Sequence, residues 1–291
     1  MTTTPAGPTT QPAPPAPRTP TSPWPARPRP RGLPLLATGL RQRARGLLLW
    51  SLGLAAVVLM YLPLYPSIAT TLQEQVSAMP EGVVAAFGMG ETDPAGYAQT
   101  TVYGLLGAVL VIVFAVTGSS RLVAAEEESG LLELYLSHGV SRQRVLAERA
   151  LLLLLELVVL TAVVVTLTLV LGPGADLGFD APQVLAAGAG LLGIGVLVGG
   201  VGLGVGAMTG SRGLATGAAA LAGVGGYLAN VVADIADLPW LERLSAFHWA
   251  YGHEPLRAGF DGDGAVLLLY GVAALAYAVG AVVLARRDVG V

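Results

Sequence analysis

Few residues of this 291-residue chain are equipped for chemistry, and most of them stand in one stretch. Three consecutive glutamates, Glu126 to Glu128, open the segment EEESGLLELYLSHGVSR, which also carries His138. Two further histidines, His248 and His253, and one carboxylate inside an apolar run, Glu156 in LLLLLELVVL, complete the set. Paired carboxylates and a histidine could do acid–base work on a bound water, but only where they meet within about 3 Å. His248 and His253 stand five apart, a poor spacing for two metal ligands on one helical face. The chain has no cysteine, which removes thiol catalysis, thiolate metal sites and disulfides. All sixteen basic residues are arginine, so the lysine that a P-loop sets on nucleotide phosphates is missing.

The elements that must position these residues are membrane helices. Hydrophobic residues make up 54% of the chain and charged ones 12%, with a mean hydropathy of +0.67. Soluble domains carry about 25% charged residues. Several apolar runs reach the ~20 residues needed to cross a ~30 Å hydrocarbon core. Backbone polar groups in lipid must be satisfied within a segment, so the spans are helical. The expected fold class is an all-α polytopic membrane protein with six spans, near 47–66, 101–121, 149–171, 183–208, 213–233 and 264–285. The apolar text from 183 to 233 is too long for one crossing, so the TGSR at Thr209 to Arg212 must turn a tight hairpin.

Arginine placement orients the spans. Seven arginines precede the first span, and Arg121, Arg142, Arg144, Arg149, Arg212, Arg286 and Arg287 follow on the same side. The opposite side has only Arg243 and Arg257. Fourteen against two puts both termini in the cytoplasm. Residues 1–34 hold twelve of the twenty prolines and read as a disordered tail, without the short apolar core of a signal peptide. Residues 35–46, LLATGLRQRARG, set Leu36 and Leu40 one turn apart beside Arg41, Arg43 and Arg45, and suit an amphipathic helix at the membrane surface. Composition rich in Ala, Gly, Val, Leu, Pro and Arg is associated with GC-rich bacterial genomes, and so with a bacterial plasma membrane.

The acidic insert falls between the second and third spans. Leu131, Leu132, Tyr135 and Leu136 recur at i, i+1, i+4 and i+5, one stripe of a short helix over about 128–137. Glu133 and Ser137 lie off the stripe; Gly139 can end the helix, and Ser141 can cap the next. A helix resting on lipid headgroups is usually basic, because the cytoplasmic leaflet is anionic. Three glutamates, and no arginine between Arg121 and Arg142, fit a protein partner better.

EEESGLLELYLSHGVSR resembles the cytoplasmic segment of permease subunits in the type-2 ATP-binding-cassette exporter family. Glu128, Gly130, Leu131, Leu132, Glu133, Leu134 and Leu136 match its pattern, as do Val140, Ser141 and Arg142, while Gly139 stands where proline is common. The resemblance extends to the six spans, the long first outer loop, the closing ARRDV and the stretch LPWLERLSAFHWAYGHEPLRAG at 238–259. It implies a coupling helix that docks on a separate ATPase subunit, with Glu128, Gly130, Leu131, Leu132, Glu133, Tyr135, Leu136, Ser141 and Arg142 in the contact. It also implies that ATP and magnesium are bound by that partner, that this chain is not itself an enzyme and needs no cofactor, and that it works as a homodimer or heterodimer of permeases. No nucleic-acid partner is expected. A lipophilic drug or antibiotic would suit an apolar path.

Glu156 lies inside the third span, where it either lines that path or pairs with a neighbouring helix. Gly195/Gly199, Gly200/Gly204 and Gly202/Gly206 stand at the four-residue spacing that lets helix backbones approach, which favours packing over gating. Leu241, Leu244 and Phe247 suggest an outer helix with Trp240, Trp249 and Tyr251 as aromatic anchors. Two alternatives compete. An intramembrane glutamate-dependent protease resembles the chain in span number, but Leu131 and Leu132 occupy the place of its motif arginine, and the histidines fall on the wrong side. A transporter without an ATPase would need paired charges within its spans for ion coupling.

Overall fold

The computed structural model describes residues 34–80, 83–84, 93–122, 141–175, 177–261 and 264–286. The proline-rich stretch 1–33 and the expected helix at 128–137 lie outside them. Among the described residues there is no strand, and six helices are long and apolar enough to cross a membrane. In chain order the helices are α1 Pro34–Tyr61, α2 Tyr65–Ser77, α3 Pro94–Leu122, α4 Arg142–Leu171, α5 Ala181–Thr209, α6 Arg212–Ala236, three short ones, α7 Pro239–Glu242, α8 Ala246–Tyr251 and α9 Pro255–Ala258, and finally α10 Val266–Arg286. The chain is thus an all-helical, multi-pass membrane protein.

Glycine-rich α5 occupies the centre, against α3, α4, α6 and α10. Its two glycine faces meet different neighbours. A Cβ on Gly204 would stand 2.3 Å from the Ala276 carbonyl oxygen of α10, and one on Gly200 would stand 2.9 Å from the Ala273 Cβ. On the other face, Gly195 and Gly199 receive Leu157 and Leu153 of α4. In lipid there is no hydrophobic drive between helices, so this closeness and its dispersion contacts hold the bundle together. The glycines pack the helices within one subunit.

Local chemistry sets the ends of the helices. Gly210 takes the left-handed conformation (φ 67°) that closes α5, and its N–H bonds to the Gly206 carbonyl at 2.8 Å. Ser211 then caps α6, accepting from the Leu214 N–H. The tight hairpin expected at 209–212 is therefore built from a glycine stop and a serine start.

Two departures from the sequence reading stand out. First, residues 35–46 do not form a helix apart from the first span; they and the span are one unbroken helix, α1. Nothing in LLATGLRQRARGLLLW breaks a helix, since Gly39 and Gly46 weaken it without removing a hydrogen bond. Second, Leu241, Leu244 and Phe247 do not share one outer helix: Leu241 stands in α7, Leu244 in the turn after it and Phe247 in α8, within a helical loop of three short helices. Ser245 interrupts the stretch by accepting from the Phe247 and His248 N–H groups, and Glu254, in a left-handed conformation (φ 52°), interrupts it again before Pro255.

α3 and α6 each contain a π-helical stretch, Gln99–Leu106 and Leu221–Gly225. In the first, the wide turn brings the Val102 carbonyl onto the N–H of Gly107, where a Cβ would stand only 2.2 Å from that oxygen. Glycine is the residue this turn can accept.

Candidate functional site

The arginine-rich end of the bundle is organised by two carboxylates on α4. Glu148 is 2% exposed. Its Oε2 accepts from the backbone N–H groups of Leu35 and Leu36, each at 3.0 Å, and its Oε1 accepts from Arg144 Nε at 2.9 Å. The first N–H groups of a helix have no partner within it and carry a partial positive charge. Glu148 thus caps the first turn of α1 from another helix.

Two turns further along α4 is Glu156, 1% exposed, which accepts from Arg43 Nε through Oε1 at 2.7 Å. Arg43 is 27% exposed, so its guanidinium reaches inward while its other end remains open. Glu156 Oε2 has no hydrogen-bond partner among the described residues. Two glycines keep the helices close around this pair. A Cβ on Gly39 would stand 2.6 Å from Leu152 Cδ2, and a Cβ on Gly118 of α3 would stand 2.9 Å from Leu153 Cδ1 and 3.4 Å from Arg43 Nη2. The Arg43 guanidinium thus lies beside Gly118 of α3.

Of the residues expected to carry coupling, Ser141 and Arg142 are described. Ser141 is the N-cap of α4, its side chain accepting from the Arg144 N–H at 3.4 Å, and Arg142 is the first residue of that helix. Glu128, Gly130, Leu131, Leu132, Glu133, Tyr135 and Leu136 lie outside the described residues.

The arginine-poor end holds a cleft of about 290 Å³ between the π-helical part of α3, the end of α6, and α8. Part of its lining is aromatic. Phe247 packs edge-on against Tyr227 at 5.2 Å between ring centroids and lies 6.3 Å from Tyr251. Tyr251 donates to the Tyr103 carbonyl at 3.1 Å, and Tyr103 donates to Thr168 Oγ1 at 3.1 Å, tying α8 to α3 and α4. The lining also carries three carboxylates, Asp234, Glu242 and Glu254. His248 Nδ1 lies 3.0 Å from Glu242 Oε1. Arg257 binds Glu254, and also Asp93, the N-cap of α3, at 2.5 Å. Among the described residues no three acidic or histidine side chains gather around a point that could hold a metal.

A family model described as ABC-2 family transporter protein matches residues 33–289, the described bundle and the acidic insert together. The chain belongs to the ABC-2 transporter family. No curated protein matches it. As an ABC-2 chain with six membrane-crossing helices it is a membrane permease subunit, and the protease-like alternative falls away. Of the features that position this ABC-2 permease's ends, sequence reasoning missed Glu148 and Gly118. Glu148 carried one signal, its place in the four-residue series Arg144, Glu148, Leu152, Glu156 along one side of α4. Gly118, one small residue among many, carried none.

Proposed function

We propose that the chain is the membrane-spanning permease subunit of an ATP-driven exporter, with its arginine-rich end in the cytoplasm of a bacterial cell. Residues 123–140 connect the ends of α3 and α4 there, and they engage a separate ATPase subunit. ATP and magnesium belong to that subunit, since this chain has no lysine with which to build a P-loop. The single observation that carries the reading is the family match across 33–289, which includes an acidic, amphipathic insert between two membrane helices.

The local geometry supports a mechanical role for that insert. It feeds through the Ser141 cap directly into α4, and α4 holds the start of α1 through Glu148 and a deeper point through Glu156. A displacement of the insert by the ATPase would move α1 and α4 as one body against α5. A second permease, identical or related, completes the path. The exposed apolar side of α6, with Leu214, Leu221, Val224, Leu228, Val232 and Ile235, would receive it.

The test replaces Leu132 and Leu136 by Asp in the full chain. Burying unpaired charges in a protein contact costs several kcal/mol, and each ~1.4 kcal/mol is tenfold in affinity. The variant should insert in the membrane at normal level, lose the ATPase subunit on co-purification and lose export. Retention of both partner and export would reduce the insert to a surface linker and remove the coupling proposal.

A further inference from the structure

The cleft at the arginine-poor end has a composition that neither packing nor ATPase coupling requires. Its charges do not balance. Three carboxylates, Asp234, Glu242 and Glu254, line it with one arginine, Arg257, and that arginine is already held by Glu254 and by Asp93. Asp234 and Glu242 are left facing the space with hydrogen-bonding neighbours in place of a fixed cation. Asn230 donates to Asp234 at 3.2 Å, and His248 stands beside Glu242.

The same cleft is lined by the aromatic rings of Tyr227, Phe247 and Tyr251. Aromatic faces attract cations, and more strongly where water is scarce. Carboxylates add direct charge attraction across the same space. A hydrated metal ion would want several oxygen ligands at once, and the described acidic side chains do not converge in that way. An ammonium group with an apolar body satisfies both parts of the lining together. The volume of about 290 Å³ sits at the lower edge of small-molecule sites.

The backbone gives a second, independent sign. Gln99, Thr100, Gly104 and Leu105 in the wall belong to the π-helical part of α3. Such stretches are costly in a helix and occur frequently at functional sites. Here the widened turn is held by the Tyr251 hydroxyl on the Tyr103 carbonyl.

From this geometry we infer that the cleft is a binding site for a small organic cation, an ammonium group carried on an aromatic or aliphatic body. The inference holds whichever way the permease moves its substrate, and it needs no ATPase.

It is tested on the purified permease in nanodiscs of zwitterionic phosphatidylcholine, by ligand-observed NMR titration. Three probes of one shape are compared: phenethylammonium, uncharged 2-phenylethanol and phenylacetate. Phenethylammonium should bind saturably, at least tenfold more tightly than 2-phenylethanol, and phenylacetate should not bind. Asp234→Asn and Glu242→Gln should each weaken phenethylammonium at least tenfold while the melting temperature stays within a degree or so of the parent. Equal binding of the three probes, no saturable binding, or undiminished affinity in both variants would overturn the assignment. Because no partner is present in this experiment, its failure leaves the coupling proposal standing, and loss of coupling leaves the cleft standing.

Discussion

Arg43 of α1 and Glu156 of α4 meet through a 2.7 Å hydrogen bond at a point where the carboxylate is buried and the guanidinium only partly so. The asymmetry matters. Each partner would suffer differently from the loss of the other.

Removing Arg43 strands a buried carboxylate, whereas removing the charge of Glu156 leaves an arginine that can swing toward water. Arg43→Gln should therefore cost about 3 kcal/mol, and Glu156→Gln about 1–2 kcal/mol. The double variant should recover part of the loss. Thermal melting of the purified permease in nanodiscs gives the ranking, and equal or reversed costs would contradict the asymmetry.

Gly118 acts on the same pair from a third helix. Gly118→Ala sets a methyl group against the flexible end of Leu153 and should cost about 1 kcal/mol. Gly118→Val reaches further, toward the Arg43 guanidinium, and should approach the loss seen for Arg43→Gln. Combined with Arg43→Gln, its effect should be less than additive, because the two changes share one contact. Full additivity would mean the glycine serves helix packing alone.

Glu148 should govern the first turn of α1. Glu148→Gln keeps one acceptor but gives up the charge, and hydrogen bonds to charged groups contribute about 1.5–3 kcal/mol. Amide hydrogen exchange at residues 35–38 should rise by a factor of about ten or more, at ~1.4 kcal/mol for each factor of ten, while exchange along the outer half of α1 stays unchanged. Uniform exchange along α1 in parent and variant would remove the capping role.

Orientation rests on the arginine asymmetry, fourteen against two. A reporter fused after Val291 should lie in the cytoplasm, and one inserted near Glu91 should lie outside. Finding both on one side of the membrane would break the alternation of six crossings.

Much of this architecture is legible in the sequence, because lipid makes long apolar runs helical and leaves them few other choices. Ser141 could be read as well, since starting a helix is a local chemical act, and so could the hairpin at 209–212, because residues 183–233 are too long for one crossing. Pairing was harder. Arg41, Arg43 and Arg45 look alike in the text, yet Arg41 and Arg45 are exposed and Arg43 turns inward. Its partner Glu156 lies 113 positions along the chain and becomes a neighbour only once the bundle has formed. The same arginines gave residues 35–46 the look of a separate surface helix, although nothing in the backbone divides them from the span. The π-helical stretches had no signature either, because apolar periodicity reports which side is greasy, not how many residues make a turn. The cleft was hidden for a related reason. Its lining comes from segments more than a hundred residues apart, among them Gln99–Leu106 and Ala246–Tyr251.

α1 is tied to α4 twice at one constant offset, Leu35 to Glu148 and Arg43 to Glu156, each pair separated by 113 positions. On both helices the two ties are eight residues apart, about 12 Å at 1.5 Å per residue. The pair is therefore a measured length as well as a set of contacts. One residue added between Leu36 and Arg43 would advance Arg43 by about 1.5 Å and turn it by about 100°, so one tie would have to open for the other to close. Lengthening the chain ahead of Pro34 has no such effect. Variation in length belongs upstream of that proline; between Leu36 and Arg43, α1 can change letters but not count.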